Sequence, residues 1–255
     1  MAAKEPSASQ VKTLREMIAE AERCVVFTGA GISTESGIPD FRSPGTGIWT
    51  QNQPILFQDF MANEEARRET WRRKIETDKV LLQAQPNKGH LALAKLVALG
   101  TLDTIITQNI DGLHVAAGVP AQQIVELHGN ATYAKCLECT ERYELAPIKE
   151  AFVTQGTLPV CGCGGHIKTA TISFGQQMPE EPMRRANEAA EACDLFIAVG
   201  SSLVVYPAAA FPLIAKQNGA QLVIVNRDPT EQDAYADLVI NAEIGATMAK
   251  VVPLD

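Results

Sequence analysis

The chain has 255 residues, 46% hydrophobic and 20% charged, with a formal net charge of −8. That length can bury a full core, as one large domain or as one domain carrying an insertion, and the composition is that of a soluble globular protein. The acidic balance argues against non-specific nucleic-acid binding and against an anionic membrane surface. No apolar run approaches the ~18 residues of a membrane span.

The N-terminal residues lack the apolar stretch of a secretion signal. Val11, Leu14, Ile18 and Ala21 then recur at helical spacing, with Ser7 and Gln10 placed for a capping box. Cys24 to Thr28 is a short apolar run with β-branched residues, which predicts a buried parallel strand. It breaks into Gly29-Ala30-Gly31, where bare backbone allows a tight turn and close approach of a phosphate. Ser33 or Thr34 is expected to open a helix whose first N–H groups attract an anion. Thr34 occupies the place of the third glycine of the dinucleotide fingerprint, and no ribose-binding acid follows ~20 residues on, so a Rossmann dehydrogenase is disfavoured. Glu35 to Arg42 is rich in turn formers and predicts a loop closing over whatever the glycines hold.

Residues 57–84 read as helical and strongly charged, and the plain expectation for Glu64, Glu65, Arg67, Arg68, Arg72, Arg73 and Lys74 is a solvated helical face. Asn87 is a natural N-cap for an apolar helix from Leu91 to Leu99 stopped by Gly100. His90 on it is expected to be structural. Leu102 to Thr107 is strand-like and delivers Gln108-Asn109-Ile110-Asp111 past its carboxyl end, where open α/β sheets bind ligands. Asp111 could equally cap the helix that ends near Gly118. Gln123 to Leu127 is another strand, which brings Glu126-Leu127-His128-Gly129 to a cleft. Asp194 to Gly200, a helix after Pro207 and Gln221 to Val225 make a βαβ unit, followed by a short strand over 237–240 and a closing helix after Ile244.

Of the six cysteines, Cys136, Cys139, Cys161 and Cys163 cluster, while Cys24 and Cys193 lie in apolar contexts. Two pairs on tight turns supply the four thiolates a tetrahedral zinc prefers, and a closed four-cysteine site is structural because it leaves no position for water. The one-residue spacing of Cys161-x-Cys163 is unusually short, and glycines at 162, 164 and 165 make the knuckle feasible. His166 is a spare donor outside this reading. Clustered thiols favour a metal over a disulfide framework, and hence a reducing cytoplasm.

Gly29-Ala30-Gly31-Ile32-Ser33 with Ser36 to Arg42, Thr107 to His114, Glu126 to Gly129, Phe174-Gly175, and Gly200-Ser201-Ser202 with Asn226-Arg227-Asp228 resemble the motifs of the sirtuins, NAD-dependent protein-lysine deacylases. The resemblance covers roughly residues 8–250. It implies a doubly wound, Rossmann-like parallel sheet formed by 1–42, 86–130 and 173–255, a helical module over 43–85 and a zinc-binding small domain over 131–172. It implies NAD as co-substrate, held by Gly29, Ala30, Gly31, Ser33, Asp40, Phe41, Arg42, Gln108, Asn109, Ile110, Asp111, Gly200, Ser201, Ser202, Asn226, Arg227, Asp228 and Ile244. His128 becomes the general base. Asn109 orients the nicotinamide ribose and its attacking water, Asp111 with Ile110 binds the nicotinamide amide, and Phe41 shields the reacting carbon. Ile172, Phe174 and Gly175 belong to a segment that pairs with the backbone of an acylated-lysine peptide.

By this resemblance the acyl oxygen attacks the ribose, nicotinamide leaves, and free lysine and O-acyl-ADP-ribose are formed. The chain departs from the family at Lys168-Thr169 and Gln176, which stand where an Arg-Pro pair and an acidic residue are usual. It also lacks the Tyr-x-x-Arg pair of the branch that removes acidic acyl groups: Glu69 and Thr70 stand three residues before Arg72 and Arg73. Neutral acyl groups are therefore expected. An NAD glycohydrolase or mono-ADP-ribosyltransferase on the same scaffold, and a non-catalytic NAD sensor, stay open beside the deacylase. The expected state is a monomer or small oligomer with no nucleic-acid or membrane partner.

Overall fold

A computed structural model describes residues 5–40 and 53–254. Helix α1 (Ala8–Glu20) opens on the expected Ser7–Gln10 capping box and buries Val11, Leu14, Met17 and Ile18. It leads into strand β1 (Cys24–Thr28), every residue of which is buried. Strands β2 (Leu102–Thr107), β3 (Ile124–Glu126), β7 (Leu195–Val199), β8 (Gln221–Val225) and β9 (Leu238–Ile240) pair with it, all parallel, in the order β3-β2-β1-β7-β8-β9. Numbered within this sheet alone, that is 3-2-1-4-5-6, the doubly wound order, with its topological switch between β1 and β7.

Two apolar layers flank the sheet because alternate strand residues point to opposite faces. Val26, Ile105 and Ile197 face one side with α1, helix α4 (Lys88–Ala98) and closing helix α9 (Ile244–Val251). Val25, Phe27, Ile106 and Phe196 face the other with helices α7 (Glu180–Ala192) and α8 (Phe211–Gln217). A short helix α5 (Leu113–Ala116) follows β2.

A second, antiparallel sheet joins strands β5 (Arg142–Tyr143), β4 (Gly129–Cys136) and β6 (Ile167–Thr171) in that order, so β6 is an edge. Helix α6 (Leu145–Gln155) completes this region. Beside it lie helices α2 (Phe57–Ala62) and α3 (Glu64–Leu81). On the latter Glu64, Glu65 and Arg72 are exposed, as a solvated face requires, but Lys74 corrects that expectation: it is buried together with Trp71 and Asp78. They recur at three- to four-residue spacing, which puts them on one face of the helix.

The helix expected from Ser33 or Thr34 also starts elsewhere. The chain enters a 3-10 helix over Ala30–Ser36 directly after Gly29. The Gly31 N–H is taken sideways by the Gly200 carbonyl at 2.8 Å, and the Ile32 N–H by Gly29. Those amides tie the turn to its neighbours and do not serve an anion.

Candidate active site

The carboxyl ends of β1, β2, β7 and β8 open into a cavity of about 550 Å³. Its wall carries Ala30, Gly31 and Asp40 after β1, Gln108, Asn109 and Ile110 after β2, and His128 after β3. Gly200, Ser201 and Ser202 follow β7, Asn226, Arg227 and Asp228 follow β8, and Ile244 begins α9. Ile172, Phe174 and Gly175 line it from beyond the edge strand β6. These sequence-predicted residues, drawn from Ala30 to Ile244, therefore share one space. Phe41 and Arg42 lie outside the described residues.

Gly29, Ser33 and Asp111 stand behind the wall and are wired to it. The Ser33 hydroxyl donates to Asp111 Oδ2 at 2.7 Å and accepts from Asn109 Nδ2 at 3.2 Å; Asn109 Nδ2 also donates to the Gly29 carbonyl at 3.1 Å. Asp111 Oδ1 accepts the Leu113 N–H at 2.9 Å, so this carboxylate both caps α5 and holds Ser33. His90 sits one layer deeper. Its Nδ1 takes the Asn87 N–H and its Nε2 reaches Ser33 Oγ, each at 3.4 Å. The Asn109 N–H donates to Thr107 Oγ1, which accepts from Thr28 Oγ1, itself bonded to His114 Nε2. Burial holds both histidines neutral, with pKa values down to about 4 for His90 and about 3 for His114. They are props for the amide and the carboxylate, as expected for His90.

His128 is differently placed. Its Nδ1 lies 3.1 Å from the Gln108 carbonyl, which accepts only from a protonated nitrogen. In the neutral ring Nε2 then carries the lone pair. Burial pulls the His128 pKa below the ordinary histidine value, partly opposed by the Gln108 bond. A neutral imidazole on a cavity wall with Nδ1 spent on orientation can accept a proton at Nε2. Gln108 is fixed from the other side, because its Oε1 accepts from Ser201 Oγ at 2.9 Å.

Gly200 shows why the strand ends can come so close. It has φ +65, and a Cβ there would lie 2.4 Å from the Ile32 nitrogen. Sequence reading missed the apolar rim of the cavity, formed by Ile55, Met178, Val204, Val205 and Tyr206. Phe174, Val204 and Tyr206 are exposed there. The signal was the Val-Val-Tyr-Pro run after Ser202, apolar yet past a strand end.

At the edge, the Ile172 N–H donates to the His128 carbonyl at 2.9 Å and the Phe57 N–H to the Phe174 carbonyl at 2.9 Å. The two unusual family positions turn inward. Gln176 Oε1 accepts the Ser173 N–H, while the Gln176 N–H donates to the Ser173 carbonyl, closing a local turn. Lys168 is buried and folds its ammonium onto the Thr171 carbonyl at 2.6 Å, and burial brings its pKa down to about 8.

The four clustered cysteines place their sulfurs within 4.8 Å of one another. Cys136 and Cys163 are 3.5 Å apart, as are Cys139 and Cys161. Tetrahedral zinc with ~2.3 Å bonds needs sulfurs about 3.8 Å apart, so the set fits. Gly165 fits it too: a Cβ there would meet Cys136 Sγ at 2.7 Å. The short Cys161-x-Cys163 knuckle closes through Cys161 N–H to Gly165 O and Gly164 N–H to Cys161 O. His166 is not part of the sulfur group among the described residues; its carbonyl accepts the Leu137 N–H. Tyr143 Oη lies 3.0 Å from Cys161 Sγ, an outer contact the sequence did not single out.

A doubly wound sheet with a cavity at its switch point and a four-thiol knuckle beside it defines a Rossmann-like nucleotide-binding protein with a zinc module. The Sir2 family model matches residues 29–207. An NAD-dependent protein deacetylase of Rhodopseudomonas palustris is 56% identical over 96% of each chain. An NAD-dependent protein deacylase 2 of Archaeoglobus fulgidus is 40% identical over 95% of each. A solved Sir2 bound to acetylated peptide superposes with a TM-score of 0.85 at 35% identity, covering 94% of this chain and 96% of that one. A Sir2 with peptide and NAD+ gives 0.85 at 37% over the same shares. The chain belongs to the Sir2 family.

Proposed function

We propose that this chain is an NAD-dependent protein-lysine deacylase, which moves an acyl group from lysine to ADP-ribose and releases nicotinamide. The observation that supports it most is the convergence of His128, Asn109 and Ile110 on one cavity that also reaches the edge segment 172–175 and the strand ends at 200–202 and 226–228. NAD supplies a nicotinamide leaving group and ribose hydroxyls when bound. Gly200, Ser201 and Ser202 with Asn226, Arg227 and Asp228 hold its diphosphate and adenosine part, next to Ala30, Gly31, Asp40 and Ile244. Gln108, Asn109, Ile110 and Asp111 hold its nicotinamide end, with Gly29 and Ser33 fixing the amide and carboxylate from behind. His128 Nε2 accepts a proton from the ribose. Phe41 and Arg42, outside the described residues, are proposed from the sequence resemblance as further cofactor contacts. Ile172, Phe174 and Gly175 align the substrate backbone, and the apolar rim at Ile55 and Val204 receives a neutral acyl-lysine stem.

The zinc bound by Cys136, Cys139, Cys161 and Cys163 is structural. Residues 1–42, 86–130 and 173–255 form the large domain, 43–85 the helical module and 131–172 the zinc domain. No helix among the described residues is long and apolar enough to cross a membrane. We infer an enzyme of the cytoplasm, where thiols stay reduced, acting as a monomer or small oligomer without a nucleic-acid partner. Nicotinamide release with and without an acetyl-lysine peptide tests the activity. Release only with peptide, matched by deacetylated product, is expected. Release without peptide identifies a glycohydrolase, and no release identifies a binding protein.

A further inference from the structure

Strand β4, which begins directly after His128, leaves its ladder after its first residue, Gly129. Gly129 pairs with Thr171 and Ala134 with Thr169, so residues 130–133 bulge opposite Ala170 alone. Bulges beside active sites re-aim the chain and strand its backbone groups, which must find other partners when buried. Ala131 is 3% exposed. Its N–H donates to the Ile110 carbonyl at 2.8 Å, and its carbonyl accepts from Lys74 Nζ at 2.7 Å. The bulge holds its own shape through Asn130, whose Oδ1 accepts from the Thr132 N–H and hydroxyl.

Lys74 comes from α3 and its side chain is 8% exposed. It is ion-paired with Asp78, one turn on, whose side chain is 6% exposed. Asp78 Oδ2 accepts from Lys149 Nζ of α6 at 2.9 Å. A buried ammonium is costly unless its protons are taken, and here one of them is spent on a backbone carbonyl outside its own helix. A chain of contacts thus runs from α6 through α3 to the bulge and on to Ile110, in the run proposed to hold the nicotinamide. On the far side of the bulge, His128 grips the Gln108 carbonyl at 3.1 Å. Segments 108–110 and 128–131 are therefore tied at two points, and Lys74 backs one of them.

We infer that Lys74 is a positioning residue: through Ala131 it fixes the Ile110 end of the cavity, coupling the helical and zinc-binding regions to the nicotinamide pocket. The inference rests on the deacylase reading for its catalytic consequence, and on the bulge geometry for its structural one. Lys74→Met alone leaves Asp78 in a buried site with one cation fewer, which can unfold the region. The double variant Lys74→Met/Asp78→Leu removes both buried charges, a replacement folds commonly tolerate, and still lacks the donor to Ala131.

In the double variant the nicotinamide inhibition constant should rise about tenfold and kcat/KM for NAD fall about tenfold, the scale of one lost charge-assisted hydrogen bond. KM for the peptide should stay within about twofold, with zinc content and a cooperative melt retained. Lys149→Met cuts only the outer leg, 24% exposed, and should leave nicotinamide inhibition within about twofold. Amide exchange at Ala131 should quicken at least about tenfold relative to Ile105. Parent-like nicotinamide inhibition, or equal losses for NAD and peptide, overturns the inference. So does unchanged exchange at Ala131. If the parent protein releases no nicotinamide, the deacylase reading falls, while the exchange result still decides whether Lys74 holds the bulge.

Discussion

His128 enters the cavity with Nδ1 committed to the Gln108 carbonyl, which leaves Nε2 for chemistry. A positioned base contributes typically 10²–10⁴-fold. His128→Ala should lower kcat by that range and leave NAD affinity within a few fold, measured by steady-state turnover and calorimetric titration. Its pKa is pulled down by burial, so the ring is neutral at pH 7 and protonates only as pH drops below the ordinary ~6.5. The acid limb of the pH–rate profile should therefore have its midpoint below 6.5. A limb centred at 7 or above contradicts the assignment. His128 and Asn109 were legible in the sequence because polar residues past strand ends, in motifs of high specificity, mark them out. Lys74 was not. It sits in a run of charges whose ordinary fate is solvent, and its inward stripe with Trp71 and Asp78 carries two charges of three, so hydrophobic periodicity gives no sign of it.

At the scale of elements, the turn after β1 works by contact rather than by a free helix end. Gly31 and Gly200 abut so closely that the Gly31 N–H bonds the Gly200 carbonyl. Gly200→Ala would force a positive φ on alanine and press its Cβ to 2.4 Å from the Ile32 nitrogen. A loss of at least ~2 kcal/mol is expected, lowering Tm by about 5 °C, with weaker NAD binding. A thermal melt and titration matching the parent would contradict this packing. The 3-10 start at Ala30 escaped sequence reading because it depends on a strand end 170 residues away. Strands β4 and β5 and helix α6 escaped it for other reasons. The bulge at 130–133 breaks the alternation of β4, β5 is two residues long, and α6 carries Pro147 in its first turn. Gly156, left-handed at the end of α6, was the cue available. The helices at α1 and α4 were legible because their caps, Ser7 and Asn87, act within three residues.

For the whole molecule, the doubly wound parallel sheet follows from alternating apolar strands and helices and was accessible from pattern, whereas its strand order 3-2-1-4-5-6 came from the structure. What pattern did not give is the meeting of the two sheets: His128 and Gly129 are consecutive, yet one faces the cavity of the parallel sheet and the other begins the antiparallel one. That junction brings the edge proposed to bind peptide and the proposed base to a single cleft, and the deacylase reading depends on both acting in one reaction. The fate of the acyl group tests this most directly. In a reaction with acetyl-lysine peptide and NAD, quenched and resolved by mass, the acetyl group should appear on ADP-ribose, one to one with nicotinamide and with free lysine product. Acetate and unmodified ADP-ribose formed from the outset, or nicotinamide released in excess of deacetylated peptide, would contradict it.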